Sequence, residues 1–348
     1  MNRLPTGRRS FVSATALLLA AMAVRPAWGQ GKPEKARVSI AVGAKASLDF
    51  LPLTIADRLG YFAAEGLEVE IHDFGGGLRA LKAVLDGSED VVAGAFEHTI
   101  NQQDKNRFFR AFVLLGRAPQ VAVGVCTRTM AAYKSIADLK GRKIGVSMPG
   151  SAADTVAGLV LMRGGVSPRD VTFVEMGSVV AAMTAVRSGQ LDAISYTEPV
   201  MTMLEHKSEV RIISDTRTLK GTQELFGGLM PSACLYAPGD YVQKNPATVQ
   251  ALANAVVHAL KWLQTAGPSD IIKTVPQAYL IGDRSLYLAS FNKVREAIAV
   301  DGLIADEGAR TALRAMGRLD ASIKTDKIDL ARTYTNEFSR RAKDKFHA

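Results

Sequence analysis

The side chains able to do chemistry in this chain fall in six short segments, each where a strand should give way to a turn or helix. In the first half they are 44–50 (Ala-Lys-Ala-Ser-Leu-Asp-Phe), 74–77 (Phe-Gly-Gly-Gly) and 95–98 (Ala-Phe-Glu-His). Further along they are 148–152 (Met-Pro-Gly-Ser-Ala), 176–178 (Met-Gly-Ser) and 196–199 (Tyr-Thr-Glu-Pro). Glu97, His98 and Glu198 are the ionisable candidates, with Asp49 behind them. A histidine beside a glutamate is more often a satisfied structural pair than a catalytic dyad. No G-x-S-x-G elbow accompanies it. Gly75-Gly76-Gly77 matches neither a P-loop nor a dinucleotide fingerprint, so close backbone packing is its commoner explanation. The chemistry these residues suit is the holding of a small molecule. Ser47, Gly75, Gly76, Gly150, Ser151, Ala152 and Gly177 sit at turns or helix starts, where unpaired backbone N–H groups and a partial positive charge favour an anionic or strongly polar ligand. Ser151 and Ser178 also read as simple N-caps. Phe50, Phe96 and Tyr196 are placed to wall an organic ligand.

These segments need a scaffold, and the chain describes the same supersecondary unit twice. Ala80, Leu81, Ala83, Val84, Gly87 and Asp90 are answered in order by Ala182, Met183, Ala185, Val186, Gly189 and Asp192. Two copies are too few for a solenoid. Strands are expected at 37–43, 67–73 and 89–94, then at 143–147, 171–175 and 191–196, with helices between them. That βαβαβ order implies two parallel-sheet lobes with right-handed crossovers. In open α/β sheets ligands bind beyond the carboxyl ends of the strands, which is where the six segments lie. Two further strand-like runs, 121–127 and 233–237, flank the second unit and read as the two crossings between lobes. The expected division is 36–122 plus 238–348 for the first lobe and 128–232 for the second. Helical periodicity continues at 246–265, 268–280, 285–300, 306–316 and 326–344.

Residues 1–29 are set apart. Arg8-Arg9-Ser10-Phe11, an apolar run to Val24 and small residues around Ala27 form a secretory signal with a twin-arginine flavour, too short for a bilayer span. Four of the nine net positive charges (Arg3, Arg8, Arg9, Arg25) belong to that leader, which leaves five on the rest of the chain. The remaining basic residues are scattered, so nucleic-acid binding is unsupported. Cys126 and Cys234 have no metal-ligand spacing, and no metal or cofactor is expected. If 121–127 and 233–237 were neighbouring antiparallel strands the two thiols would approach disulfide range, and otherwise they are buried and unpaired.

The run Pro52-Leu-Thr-Ile-Ala-Asp-Arg-Leu-Gly-Tyr-Phe-Ala-Ala-Glu-Gly-Leu-Glu-Val-Glu70 and Gly75-Gly76-Gly77, with Leu139-Lys-Gly-Arg-Lys-Ile-Gly-Val146 and Gly189-Gln-Leu-Asp-Ala193 before Glu198-Pro199, resembles the periplasmic substrate-binding proteins of nitrate, sulfonate and taurine ABC importers. It is also similar to the thiamine-pyrimidine-precursor binding proteins. The resemblance covers most of 37–240. It implies a bilobal type II fold, a monomeric and non-catalytic periplasmic protein, a small-molecule ligand (sulfonate, carboxylate or pyrimidine-like heterocycle) and an inner-membrane ABC permease as partner. Arg79 is the one arginine near an expected pocket position, so an arginine clamp on a dianion is not supported. A pyrimidine-precursor-synthesising enzyme and a ligand-sensing partner of a membrane receptor would share the fold. The enzyme is disfavoured because that chemistry relies on a cysteine-rich motif absent here.

Overall fold

The computed structural model describes residues 31–348, and the leader over 1–29 lies outside them. The chain first runs β1 (Arg37–Val42), α1 (Leu51–Arg58), α2 (Tyr61–Ala64), β2 (Glu68–Asp73), α3 (Gly77–Leu85), β3 (Val91–Ala95), α4 (Glu97–Asp104) and β4 (Phe109–Leu114). The plan then repeats as β5 (Val121–Cys126), β6 (Lys143–Val146), α5 (Ala152–Arg163), β7 (Thr172–Glu175), α6 (Val179–Ser188), β8 (Ala193–Thr197), α7 (Val200–His206), β9 (Val210–Asp215) and α8 (Leu219–Phe226). Last come β10 (Ala233–Pro238), α9 (Gly239–Lys244), α10 (Pro246–Thr265), α11 (Pro268–Thr274), α12 (Arg284–Val294), α13 (Asp306–Leu319) and α14 (Glu337–Phe346).

Two five-stranded sheets result, in the orders β2-β1-β3-β10-β4 and β7-β6-β8-β5-β9. Both are mixed rather than wholly parallel. β10 runs antiparallel to β3 and β4, and β5 antiparallel to β8 and β9. The runs expected to be crossings are therefore interior strands of two different sheets. The chain crosses at 115–120 and 216–232 instead. These two crossings do touch: Ser232 N–H donates to the Gly116 carbonyl at 2.9 Å and Gln120 N–H to the Thr216 carbonyl at 3.1 Å. The expected lobe limits shift accordingly, since 121–126 joins the second sheet and 233–238 the first. Cys126 ends β5, away from the crossing, and pairs with Val210, whereas Cys234 pairs with Gly94 in the other sheet. Both thiols are free and buried.

The repeated motif has a physical meaning. Gly87 (φ 78°) and Gly189 (φ 76°) take the left-handed backbone that follows a helix end, where a side chain would be strained. Three residues on, Asp90 accepts from the Ser39 amide and Asp192 from the Lys143 amide, each at 3.0 Å. Each aspartate thus pins the third strand of its unit to the first and sets the register Ile40↔Val91 or Ile144↔Ala193.

The tail departs from periodicity at 326–344. Only Glu337–Phe346 is α-helical there. Residues 333–335 instead bond along the edge of β4, with Ala111 N–H donating to the Thr333 carbonyl at 2.9 Å and Thr335 N–H to the Ala111 carbonyl at 2.8 Å. An edge strand has backbone groups to satisfy, and that demand overrides the helical pattern. α10, apolar on most faces, packs on α14, α1 and α2 of the first lobe, while α13 reaches α5 and α12 reaches α7 of the second.

Candidate functional site

The carboxyl ends of β1, β2, β3, β6, β7 and β8 face one cavity of about 440 Å³ between the sheets. That volume suits a small organic molecule. Of the residues singled out from sequence, Ser47, Asp49, Phe50, Gly75, Gly76, His98, Ser151, Ala152, Gly177, Tyr196 and Glu198 line it, and Ser178 does too. Phe96, Glu97 and Gly150 do not.

The three exclusions have clear causes. Phe96 is wholly buried and turned away, edge-on to the Tyr334 ring in the tail at 6.1 Å. Glu97 starts α4 and is buried beside β10, where desolvation lifts its carboxyl to about 7. Gly150 packs against the Leu78 side chain, and its amide is consumed by Asp154 Oδ2 at 2.7 Å. Glu198 lines the cavity, but its carboxylate faces elsewhere. Arg217 Nη1 donates to it at 2.6 Å, Thr202 Oγ1 at 2.8 Å and the Thr202 amide at 2.9 Å. The carboxylate is a satisfied structural anchor.

The lobes meet around the cavity. Ser47 Oγ lies 2.8 Å from Thr197 Oγ1 and donates to the Glu198 carbonyl at 3.3 Å. Arg79 reaches across to Glu175, so it spans the lobes and does not line the cavity. The glycine run makes this approach possible: a Cβ on Gly76 would stand 2.3 Å from the Met148 sulfur of the other lobe. Close packing, rather than a phosphate cradle, accounts for Gly75-Gly76-Gly77.

Three helix starts open on the cavity: Gly77 at α3, Ser151 to Ala153 at α5, and Ser178 with Val179 at α6. Ser151 caps α5 by accepting from the Asp154 amide, and Ser178 caps α6 by accepting from the Ala181 amide. The amides between cap and first turn have no intrahelical partner. His98 is buried, and desolvation drives its ring down to about 4, which keeps it neutral. Its Nδ1 lies 2.8 Å from the Tyr236 hydroxyl. A buried hydroxyl needs an acceptor, which assigns the donation to Tyr236 and leaves the imidazole proton on Nε2. Among the described residues that nitrogen has no partner in hydrogen-bond geometry, while the backbone of Gly150 lies close enough to offset part of the ring's desolvation. Asp49 Oδ1 is likewise buried without a partner among the described residues, and burial, offset in part by Ser47 and the Asp49 amide, lifts the carboxyl to about 6.

Several lining residues escaped the sequence reading. Asp73 and Ser147 lie one residue outside the expected segments. Asp73 accepts from the Lys45 and Gly75 amides, both at 2.9 Å, and Ser147 donates to Ser151. Ser232 and Ala233 arrive through β10, whose place between β3 and β4 no local pattern announces. Arg217 is buried on the second crossing, holding Asp215 at 2.6 Å and Glu205 at 3.3 Å besides Glu198.

Two sheets of matched topology, joined by paired crossings and closing a polar-and-apolar cavity at their strand ends, define a two-lobed binding protein of the periplasmic type. The family described as NMT1/THI5 like matches residues 47–268, more than half of the chain, and the chain belongs to that family. A solved structure of a protein from Bordetella bronchiseptica RB50 is 51% identical, with TM-score 0.89, covering 91% of this chain and all of that one. The alkanesulfonate-binding protein SsuA from Xanthomonas axonopodis pv. citri, bound to MOPS, shares the fold at 19% identity and TM-score 0.69, over 87% of this chain and 99% of its own. The protein YtlA of Bacillus subtilis strain 168 is 20% identical over 246 residues, 67% of this chain and 68% of its own length.

Proposed function

We propose that the chain is the extracytoplasmic solute-binding component of an ABC importer, exported by its leader, which captures a small organic molecule between the lobes as a monomer and passes it to a membrane permease. Membership of the family and the names of its relatives support that role. The observation that carries it is the cavity itself, built jointly from the strand ends of both sheets, with glycines that let the lobes close on it.

The role is binding rather than catalysis. The two thiols are buried, Cys126 pushed up to about 12 and Cys234 raised well above the usual range, so neither is a thiolate nucleophile. His98 is held neutral behind Tyr236, and Ser151 is engaged as a cap. The ligand contacts proposed are Ser47, Asp49, Phe50, Gly75, Gly76, His98, Ser151, Ala152, Gly177 and Tyr196. Gly76→Leu tests this reading, since its side chain must enter the space of Met148 and prop the lobes apart. Compounds that raise the wild-type melting temperature should bind the variant at least tenfold more weakly by calorimetry, with the far-UV spectrum unchanged. Equal affinity in both proteins would place the binding site elsewhere.

A further inference from the structure

The charge inventory of the cavity is lopsided. Asp49, Asp73 and Glu198 line it, while no Lys or Arg does among the described residues. Asp73 is satisfied by two amides and Glu198 by Arg217 and Thr202. Asp49 is different: Ser47 and its own amide lie against the carboxyl and partly offset its burial, but the buried Oδ1 has no donor among the described residues, and the Tyr196 phenol is raised to about 12 by burial and by Asp49. A buried carboxylate oxygen without a donor is costly, and a ligand that brings one removes the cost. The same lining holds groups that only donate: His98 Nε2–H, buried and without a partner in hydrogen-bond geometry among the described residues, and the first amides of α5, which have no intrahelical partner.

Resting on the cleft reading above, we propose that the solute is bipolar, with an ammonium or amide N–H end that donates to Asp49 and an oxygen end that accepts from His98 Nε2 and the start of α5. A simple oxyanion such as nitrate or an alkanesulfonate would leave Asp49 Oδ1 without a donor and face the carboxylate with like charge in a lining that supplies no Lys or Arg among the described residues. Asp49 is on this account the residue that sets specificity.

The test uses matched pairs differing in the N–H group: 4-aminobutyrate against butyrate, 4-aminobenzoate against benzoate, and 6-aminonicotinate against nicotinate. Calorimetry with the wild-type chain should detect an N–H-bearing member and bind its partner at least tenfold more weakly. Asp49→Asn should lose at least tenfold in affinity for that member while keeping, or raising, the melting temperature of the empty protein. His98→Gln, with a donor at similar reach, should lose less than His98→Leu. Absence of binding by every N–H-bearing member overturns the inference, as does unchanged affinity in Asp49→Asn. Oxyanion binding that survives Asp49→Asn but is lost in Gly76→Leu overturns the bipolar ligand and keeps the cleft. Binding that survives Gly76→Leu overturns the cleft reading itself.

Discussion

The two lobes are built on one plan and differ in what the residues at one matched strand end hold. Gly87 and Gly189 end equivalent helices, and Asp90 and Asp192 pin equivalent strands with equal bonds. Six residues past each aspartate the lobes part company: the first carries Phe96 and the second Glu198. Phe96 packs on Tyr334 of the tail, and Glu198 takes Arg217 from the crossing. Both side chains turn from the cavity and tie their lobe to a segment outside the repeat. The repeat thus makes the scaffold, and the unlike residues attach it to hinge and tail.

Cutting these ties sharpens the contrast. Arg217→Met strands a buried carboxylate and should cost about 3–5 kcal/mol in urea denaturation. Phe96→Ala leaves a cavity and should cost a similar amount, about 3–5 kcal/mol. Glu198→Gln should recover part of the loss in the Arg217→Met background and none in the Phe96→Ala background. A cost below about 1 kcal/mol for Arg217→Met would dissolve the distinction between the lobes.

Glu97 gives a smaller effect with a definite sign. Its folded value of about 7 lies above its ordinary 4.5, so its contribution is fully present below pH 4.5 and is lost as pH rises through 7. Glu97→Gln removes that loss. The variant should gain on the wild type by on the order of 2 kcal/mol between pH 5 and pH 8, measured by urea denaturation at both. A pH-independent difference would mean that the buried carboxyl has an ionic partner.

Much of this was legible because it is local. The limits of α5 and α10 follow from Ser151 with Arg163 and from Pro246 with Thr265, caps and periodicity agreeing over a long stretch. The strand ends followed from alternation, and eleven of the expected site residues line the cavity for that reason. What failed depends on distant partners. β10 pairs Cys234 with Gly94, 140 positions earlier, and nothing in Ala233–Pro238 encodes that register. Phe96, Glu97 and Glu198 lie at the expected strand ends, but their side-chain directions are decided by Tyr334, β10 and Arg217. Local pattern gives a residue's place on an element, and its partner decides where the side chain goes.

The most direct test of the central claim, one ligand held by both lobes, is amide hydrogen exchange with and without the compound giving the largest thermal shift. Ligand should slow exchange at Gly77 and Leu78 of the first lobe together with Ala152, Ala153 and Val179 of the second, leaving α8 and α14 unchanged. Protection confined to one lobe, or absent from these helix starts, would contradict it.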